Sequence, residues 1–202
     1  MKSLKPNFLY HLLTSFLYSV TPVIIFPYIS RLLGPENIGK INLIDYTAQF
    51  ISLFAWFGIP LYGVREVGRL RNNPSELKKV ISELLFIHII ISLIGLIVFI
   101  ILIILNKNVY SDKNLVILSA VNILITAFTL EWVVQGLEDF AFVGKRFLIS
   151  KLLSITIIFL LVKQRNDYVL YYFILICTNM VVVVLDIVYV LRNKINFVKG
   201  IR

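Results

Sequence analysis

Long apolar runs alternate with short polar breaks along almost the whole chain. Six stand out, at roughly Phe8–Leu33, Ile38–Pro60, Val80–Leu105, Leu115–Val134, Phe147–Val162 and Tyr168–Leu191. A helix needs about 20 apolar residues to cross a hydrocarbon core ~30 Å thick. Lipid offers no partner to free backbone N–H and C=O groups, so a crossing must be a helix or a closed barrel. Barrel strands would be ~10 residues long and alternating; these runs are longer and do not alternate. The pattern predicts an all-α polytopic membrane protein, with six transmembrane helices in a single membrane domain over residues 1–202.

Within the runs the polar residues are spaced rather than scattered. Asn7, His11, Thr14, Tyr18 and Thr21 step by threes and fours through the first run. Asn42, Asp45, Gln49, Ser52 and Trp56 do so in the second, and Ser119, Asn122, Thr126 and Thr129 in the fourth. Each set is one face of a helix. In a membrane bundle such a face turns toward other helices or toward a water-filled cavity. Asp45 is the deepest carboxylate, so it is expected to face the bundle interior, for either ion coupling or an interhelical hydrogen bond. Glu83, Glu131 and Asp186 lie nearer the run ends and are expected to reach interfacial water. His88 reads as a packed polar residue. Pro22 and Pro27 remove backbone hydrogen bonds from the first run and predict a bend, either a static kink or part of a gate. That run closes on Arg31 and a Gly34-Pro35 turn rather than a small-residue cleavage site, so it is expected to remain as a span.

Composition agrees. The chain is 59% hydrophobic and 15% charged, against about 25% charged in ordinary soluble domains. A net charge of +9 would raise nucleic acid as a partner for a soluble protein. Here most Lys and Arg gather on one side if both termini are cytoplasmic, which is the ordinary bias of cytoplasmic loops. The lone Cys177 can form no internal disulfide and anchors no metal cluster. The sequence contains no nucleophile–base constellation, metal-ligand spacing or glycine-rich phosphate loop. No enzyme activity, metal or cofactor is expected.

Three stretches carry a resemblance: FPYISRLLGPENIG from Phe26, LFAWFGIPLYGVREVGRLRNN from Leu53, and EWVVQGLEDF from Glu131, followed by Lys145-Arg146. In order and spacing they resemble bacterial O-antigen or capsule repeat-unit flippases. These belong to the polysaccharide transporter family of the multidrug/oligosaccharidyl-lipid/polysaccharide exporter superfamily. The resemblance implies a two-lobed exporter fold of which this chain matches the N-terminal lobe. It also implies a multi-pass protein of the bacterial cytoplasmic (inner) membrane that flips an undecaprenyl-pyrophosphate-linked oligosaccharide. Membrane lipids and a second six-helix lobe are the implied partners. The missing second lobe is expected to mark a truncated or half transporter.

By that resemblance Arg31 and Arg65 match family motif positions, and with Arg146 and Lys151 they are candidates to meet the pyrophosphate. Arginine's planar fork suits phosphate oxygens. Arg65, Arg146 and Lys151 would receive the head group on the inner side and Arg31 near the outer exit. Anchoring by positive loops is the competing reading for the first three, and an interfacial role for Arg31. Asn42, Gln49 and Trp56 are candidates to line the sugar path, with Trp56 alternatively an interfacial aromatic, and Asp45 is the coupling-ion candidate. A multidrug exporter of the same superfamily and a non-transporting interaction subunit or inactive remnant are the rival functions.

Overall fold

The computed structural model describes residues 4–199 except 57, 108 and 109, and side chains from Val20 to Arg192 with the same exceptions. The proposed polar face Asn7, His11, Thr14 and Tyr18 has its side chains outside that range. Among the described residues the secondary structure is helical: α1 Leu4–Ala55, α2 Ile59–Leu70, α3 Pro74–Leu105, α4 Lys113–Thr126, α5 Glu131–Gly136, α6 Phe140–Leu161 and α7 Tyr168–Lys199, with a 3-10 turn over Arg165–Asp167.

The first two apolar runs fall on α1, which is two helices joined across Gly34. That residue adopts φ 76°, ψ 163°, a conformation that side chains with a Cβ rarely enter, and Pro35 then starts the second arm. The predicted turn is thus a break inside one long element. Its partner in space is the short connection between α6 and α7. Asn37 Nδ2 donates to the carbonyls of Leu33 at 3.1 Å and Arg165 at 2.9 Å. The Arg165 guanidinium lies over Gly34, where a Cβ would sit 3.5 Å from its Nε, and reaches Glu36 at 3.4 Å. Tyr28 donates from Oη to the Val162 carbonyl at 2.8 Å.

The second run ends earlier than its predicted limit at Pro60. Helix α1 stops at Ala55, Gly58 turns the chain at φ 77°, and Pro60 falls in the first turn of α2. There its missing N–H costs nothing. Residues Val20–Ala55 and Ile59–Leu70 meet at 46°, which sets α2 off as a short helix with Ile59, Gly63, Glu66, Val67 and Leu70 buried and Leu61 and Tyr62 exposed. The fourth run breaks too, into α4 and α5. Asp112 and Asp139 cap α4 and α6 by accepting from backbone N–H groups.

Among the described residues, three stretches are long and apolar enough to cross a membrane: Pro74–Leu105, Lys113–Gly136 and Arg165–Arg192. The bent α1–α2 pair makes a fourth if it is one span. Helix α6 has the length, 22 residues, but carries Lys145, Arg146 and Lys151.

Two apolar clusters hold the bundle. One joins both arms of α1 to α3, α4, α6 and α7 around Ile29, Leu33, Ile44, Phe99, Leu115 and Ile158. The other packs α2 and α5 against α3 and the far part of α7 around Val67, Leu77, Trp132 and Val133. Helices α2 and α5 approach so closely that a Cβ on Gly63 would stand 2.3 Å from the Trp132 ring, and one on Gly136 would stand 2.6 Å from Val67 Cβ. A methyl at either position forces the pair apart. Overpacking of this kind costs about 1–3 kcal/mol. Gly63→Ala and Gly136→Ala are each expected to lower the melting temperature of the detergent-purified protein, whereas Gly39→Ala, with open space around it, is not.

Candidate functional site

Polar positions on five helices converge on one cavity of about 350 Å³. The second arm of α1 supplies Asp45 and Gln49, α4 supplies Asn122, and α5 supplies Glu131. Helix α6 adds Arg146, Ser150 and Lys151, and α7 adds Tyr172, Thr178 and Asn179. Four of the residues expected from sequence therefore meet here: Asp45, Gln49, Arg146 and Lys151. Arg31 and Arg65 are exposed and Asn42 is half-buried; none of the three lines this cavity. Trp56 lines a separate one.

Asp45 is held from two sides. Tyr172 donates to one carboxylate oxygen at 2.9 Å and Gln49 Nε2 to the other at 2.6 Å. The Tyr172 hydroxyl also lies 2.7 Å from Ser119 Oγ, so one short network joins α1, α4 and α7. A second rung runs from Asn179 Nδ2 to Asn122 Oδ1 at 2.9 Å.

The charged floor is built around Arg146, whose side chain is 4% exposed. Its Nη2 donates to Glu131 at 3.0 Å and its Nη1 to Asp186. Gln135 Nε2 holds the other Glu131 oxygen at 3.0 Å. Asp186 is fully buried rather than at the interfacial water expected of it, because the guanidinium waits for it between α6 and α7. Glu83 does stay exposed, with Lys79 at 3.9 Å. Lys151 is different from Arg146. It makes no ion pair among the described residues, and its Nζ stands 5.5 Å from the centroid of the Phe147 ring, a cation–π distance.

Sequence reasoning passed over Tyr172, Asn179 and Ser150. The signal existed: Tyr172, Asn179 and Asp186 recur every seven residues on α7, and Arg146, Ser150 and Ser154 every four on α6. Both spacings keep one helix face.

The chain matches, over residues 4–201, a protein family described as "Polysaccharide biosynthesis protein". It belongs to that family. It is 25% identical over 180 residues to a protein named "Putative O-antigen transporter" from Escherichia coli (strain K12), covering 89% of this chain and 43% of that protein. A protein of the same name from Shigella dysenteriae is 29% identical over 148 residues, covering 73% of this chain and 37% of the relative. The chain thus spans about two-fifths of the length of the curated relatives it matches. No solved structure matches it. Family and apolar helices together make it a multi-pass protein of the bacterial cytoplasmic membrane.

Removing one member of a buried charge cluster leaves the others uncompensated, at about 3–5 kcal/mol. Arg146→Met is expected to destabilise the purified protein by that order. Adding Asp186→Leu and Glu131→Gln to it restores a large part, as read from thermal unfolding followed by circular dichroism.

Proposed function

We propose that the chain takes part in flipping lipid-linked oligosaccharide repeat units across the cytoplasmic membrane for O-antigen or capsular polysaccharide synthesis. The proposal is for a transporter and not an enzyme. The observation that carries it is a polar, cation-bearing cavity walled by apolar helices in a member of a polysaccharide biosynthesis family. A pyrophosphate and its sugars cannot enter hydrocarbon unaided, since an uncompensated buried ion costs tens of kcal/mol. The cavity offers amides and hydroxyls for sugars, from Gln49, Asn122, Asn179 and Ser150, and an ammonium for phosphate.

That ammonium belongs to Lys151. Arg146 is already shared by two carboxylates, so in this conformation its charge is spent within the protein. We assign Lys151 as the first contact of the pyrophosphate and Arg146 as a later one, reached when the α5–α6–α7 cluster opens. Arg31 and Arg65, both exposed, would meet the head group before or after its passage. Asp45 is the coupling-ion candidate, with Asn42 at the approach to it.

In this reading the two arms of α1, α3, the α4–α5 pair, α6 and α7 make six crossings with both termini cytoplasmic. They form one lobe of a two-lobed exporter, whose second six-helix lobe would close the cavity and let it alternate between leaflets.

A second reading has one observation in its favour. Asp45 lines the cavity with no ion-pair partner among the described residues, held only by Tyr172 and Gln49, and a free carboxylate suits a cationic drug.

Surface polysaccharide in a flippase-deletion strain tests the choice. The chain is expressed alone and with a homologous second lobe, alongside a drug-susceptibility assay. Restored glycan supports the proposal; drug resistance without glycan overturns it. Where export is restored, Lys151→Ala is expected to reduce it about tenfold or more and Lys151→Arg to retain most of it. Asp45→Asn is expected to cut export while leaving membrane abundance unchanged.

A further inference from the structure

Arg146 holds two carboxylates, and the two are not alike. Asp186 is fully buried, whereas the Glu131 side chain keeps 32% of its surface exposed. A carboxylate without access to water needs its cation to stay ionised, so Asp186 is bound to remain. Glu131 is free to leave, because water takes over what the guanidinium gave it.

Glu131 also has a place to turn to. It lines the cavity that holds Arg146 and Lys151, and it lines a second cavity of about 270 Å³ with Trp56, Thr129 and Gln135. Gln135 Nε2 donates at 3.0 Å to the Glu131 oxygen that Arg146 does not touch. Turned toward the second cavity, the carboxylate keeps that bond and gives up only Arg146. Nη2 of Arg146 is then left without its acceptor.

An anion that takes the vacated position competes with a carboxylate tethered beside the guanidinium. A group tethered at short range acts at an effective concentration on the order of mM, which a singly charged ion bound to Arg146 alone does not easily match. A second contact changes the balance. Lys151 lines the same cavity and makes no ion pair among the described residues. It follows Arg146 by five residues on α6, about 7.5 Å along the helix axis. Two linked phosphates can set one on the ammonium and the other on the guanidinium, and the first contact makes the second intramolecular. A single phosphate binds Lys151 without disturbing Glu131.

We propose that Glu131 is a displaceable counterion, which occupies Arg146 in the resting cavity and yields it to a diphosphate while Asp186 stays in place. The inference rests on the lipid-linked oligosaccharide reading, which supplies the diphosphate. Lys151 is the entry contact. The Glu131–Arg146 bond is what a diphosphate opens and a monophosphate leaves closed. The same carboxylate, returning to Arg146, helps the head group leave, so uptake and release use one exchange.

Two diesters of fixed charge test this: symmetrical dimethyl diphosphate, doubly negative, and dimethyl phosphate, singly negative. Each is titrated by isothermal calorimetry into the purified chain in lipid nanodiscs. The diphosphate is expected to bind about tenfold more tightly or better. Glu131→Gln is expected to tighten the diphosphate by about a further tenfold and to leave dimethyl phosphate within about twofold. Equal tightening of both anions, an unchanged diphosphate affinity, or no diphosphate binding to the unaltered chain overturns the exchange. Tryptophan emission from the unaltered chain is a second measurement, and it decides if Glu131→Gln does not fold. Both tryptophans of the chain line the second cavity, so a carboxylate turning into it alters their emission. A saturable change with the diphosphate and none with dimethyl phosphate is expected; no change with the diphosphate, or an equal change with both, overturns the exchange. The surface-glycan assay keeps the two ideas apart. Restored export without a diphosphate-selective effect of Glu131→Gln rejects the exchange and leaves the transport reading standing. A diphosphate-selective effect without export supports the exchange and counts against transport.

Discussion

The fold turns on one guanidinium. Arg146 sits on α6, and its two carboxylate partners come from α5 and α7, so a single side chain sets the register of three helices around the larger cavity. Asp186, fully buried, does not tolerate its place alone, and neither does the arginine. Taking an unpaired ion out of water is opposed by several kcal/mol. Pairing removes most of that opposition without making the cluster a strong net source of stability. Its value is positional. The Arg146 Nε and one Asp186 oxygen stay unpaired in the buried cluster, so the arrangement is satisfied in part and open to rearrangement.

The Asp45–Tyr172–Ser119 and Asn122–Asn179 contacts do for α1, α4 and α7 what the charge cluster does for α5, α6 and α7. Helix α7 is common to both sets and carries Tyr172, Asn179 and Asp186 along one face. Lys151 leans over an aromatic ring instead of a carboxylate and makes no ion pair among the described residues. The cavity is therefore divided into a locked charge and an available one.

How much of this was readable in advance depended on whether the cause lay within one helix or between two. The apolar runs and the polar face holding Asp45 and Gln49 follow from spacing along one element, and the structure puts both of those residues in the cavity. So does the break at Gly34-Pro35, which glycine and proline announce by themselves. The burial of Asp186 could not be read that way, because its partner is 40 residues away in sequence and no periodicity on α7 encodes what α6 places opposite. Trp56 reads as a member of the Asn42–Gln49 face, yet Gly58 and Pro60 end the regular helix there and a different cavity receives it. Tyr172 was hidden for a third reason: an aromatic in an apolar run looks like core until its hydroxyl is seen to bridge Asp45 and Ser119.

The break at Gly34 has a consequence in time. The groups that cover it, the Arg165 carbonyl and guanidinium, lie 128 residues further along the chain than Asn37. A ribosome adds roughly 5–20 residues per second, so the two arms of α1, complete at Ala55, are made some ~6–22 s before the segment that clasps them. Through that interval the joint at Gly34 and Pro35 lacks its clasp, and the amide of Asn37 has the Leu33 carbonyl of its own helix as its acceptor. The oldest joint in the nascent protein is thus fastened only after α3 to α6 have been made.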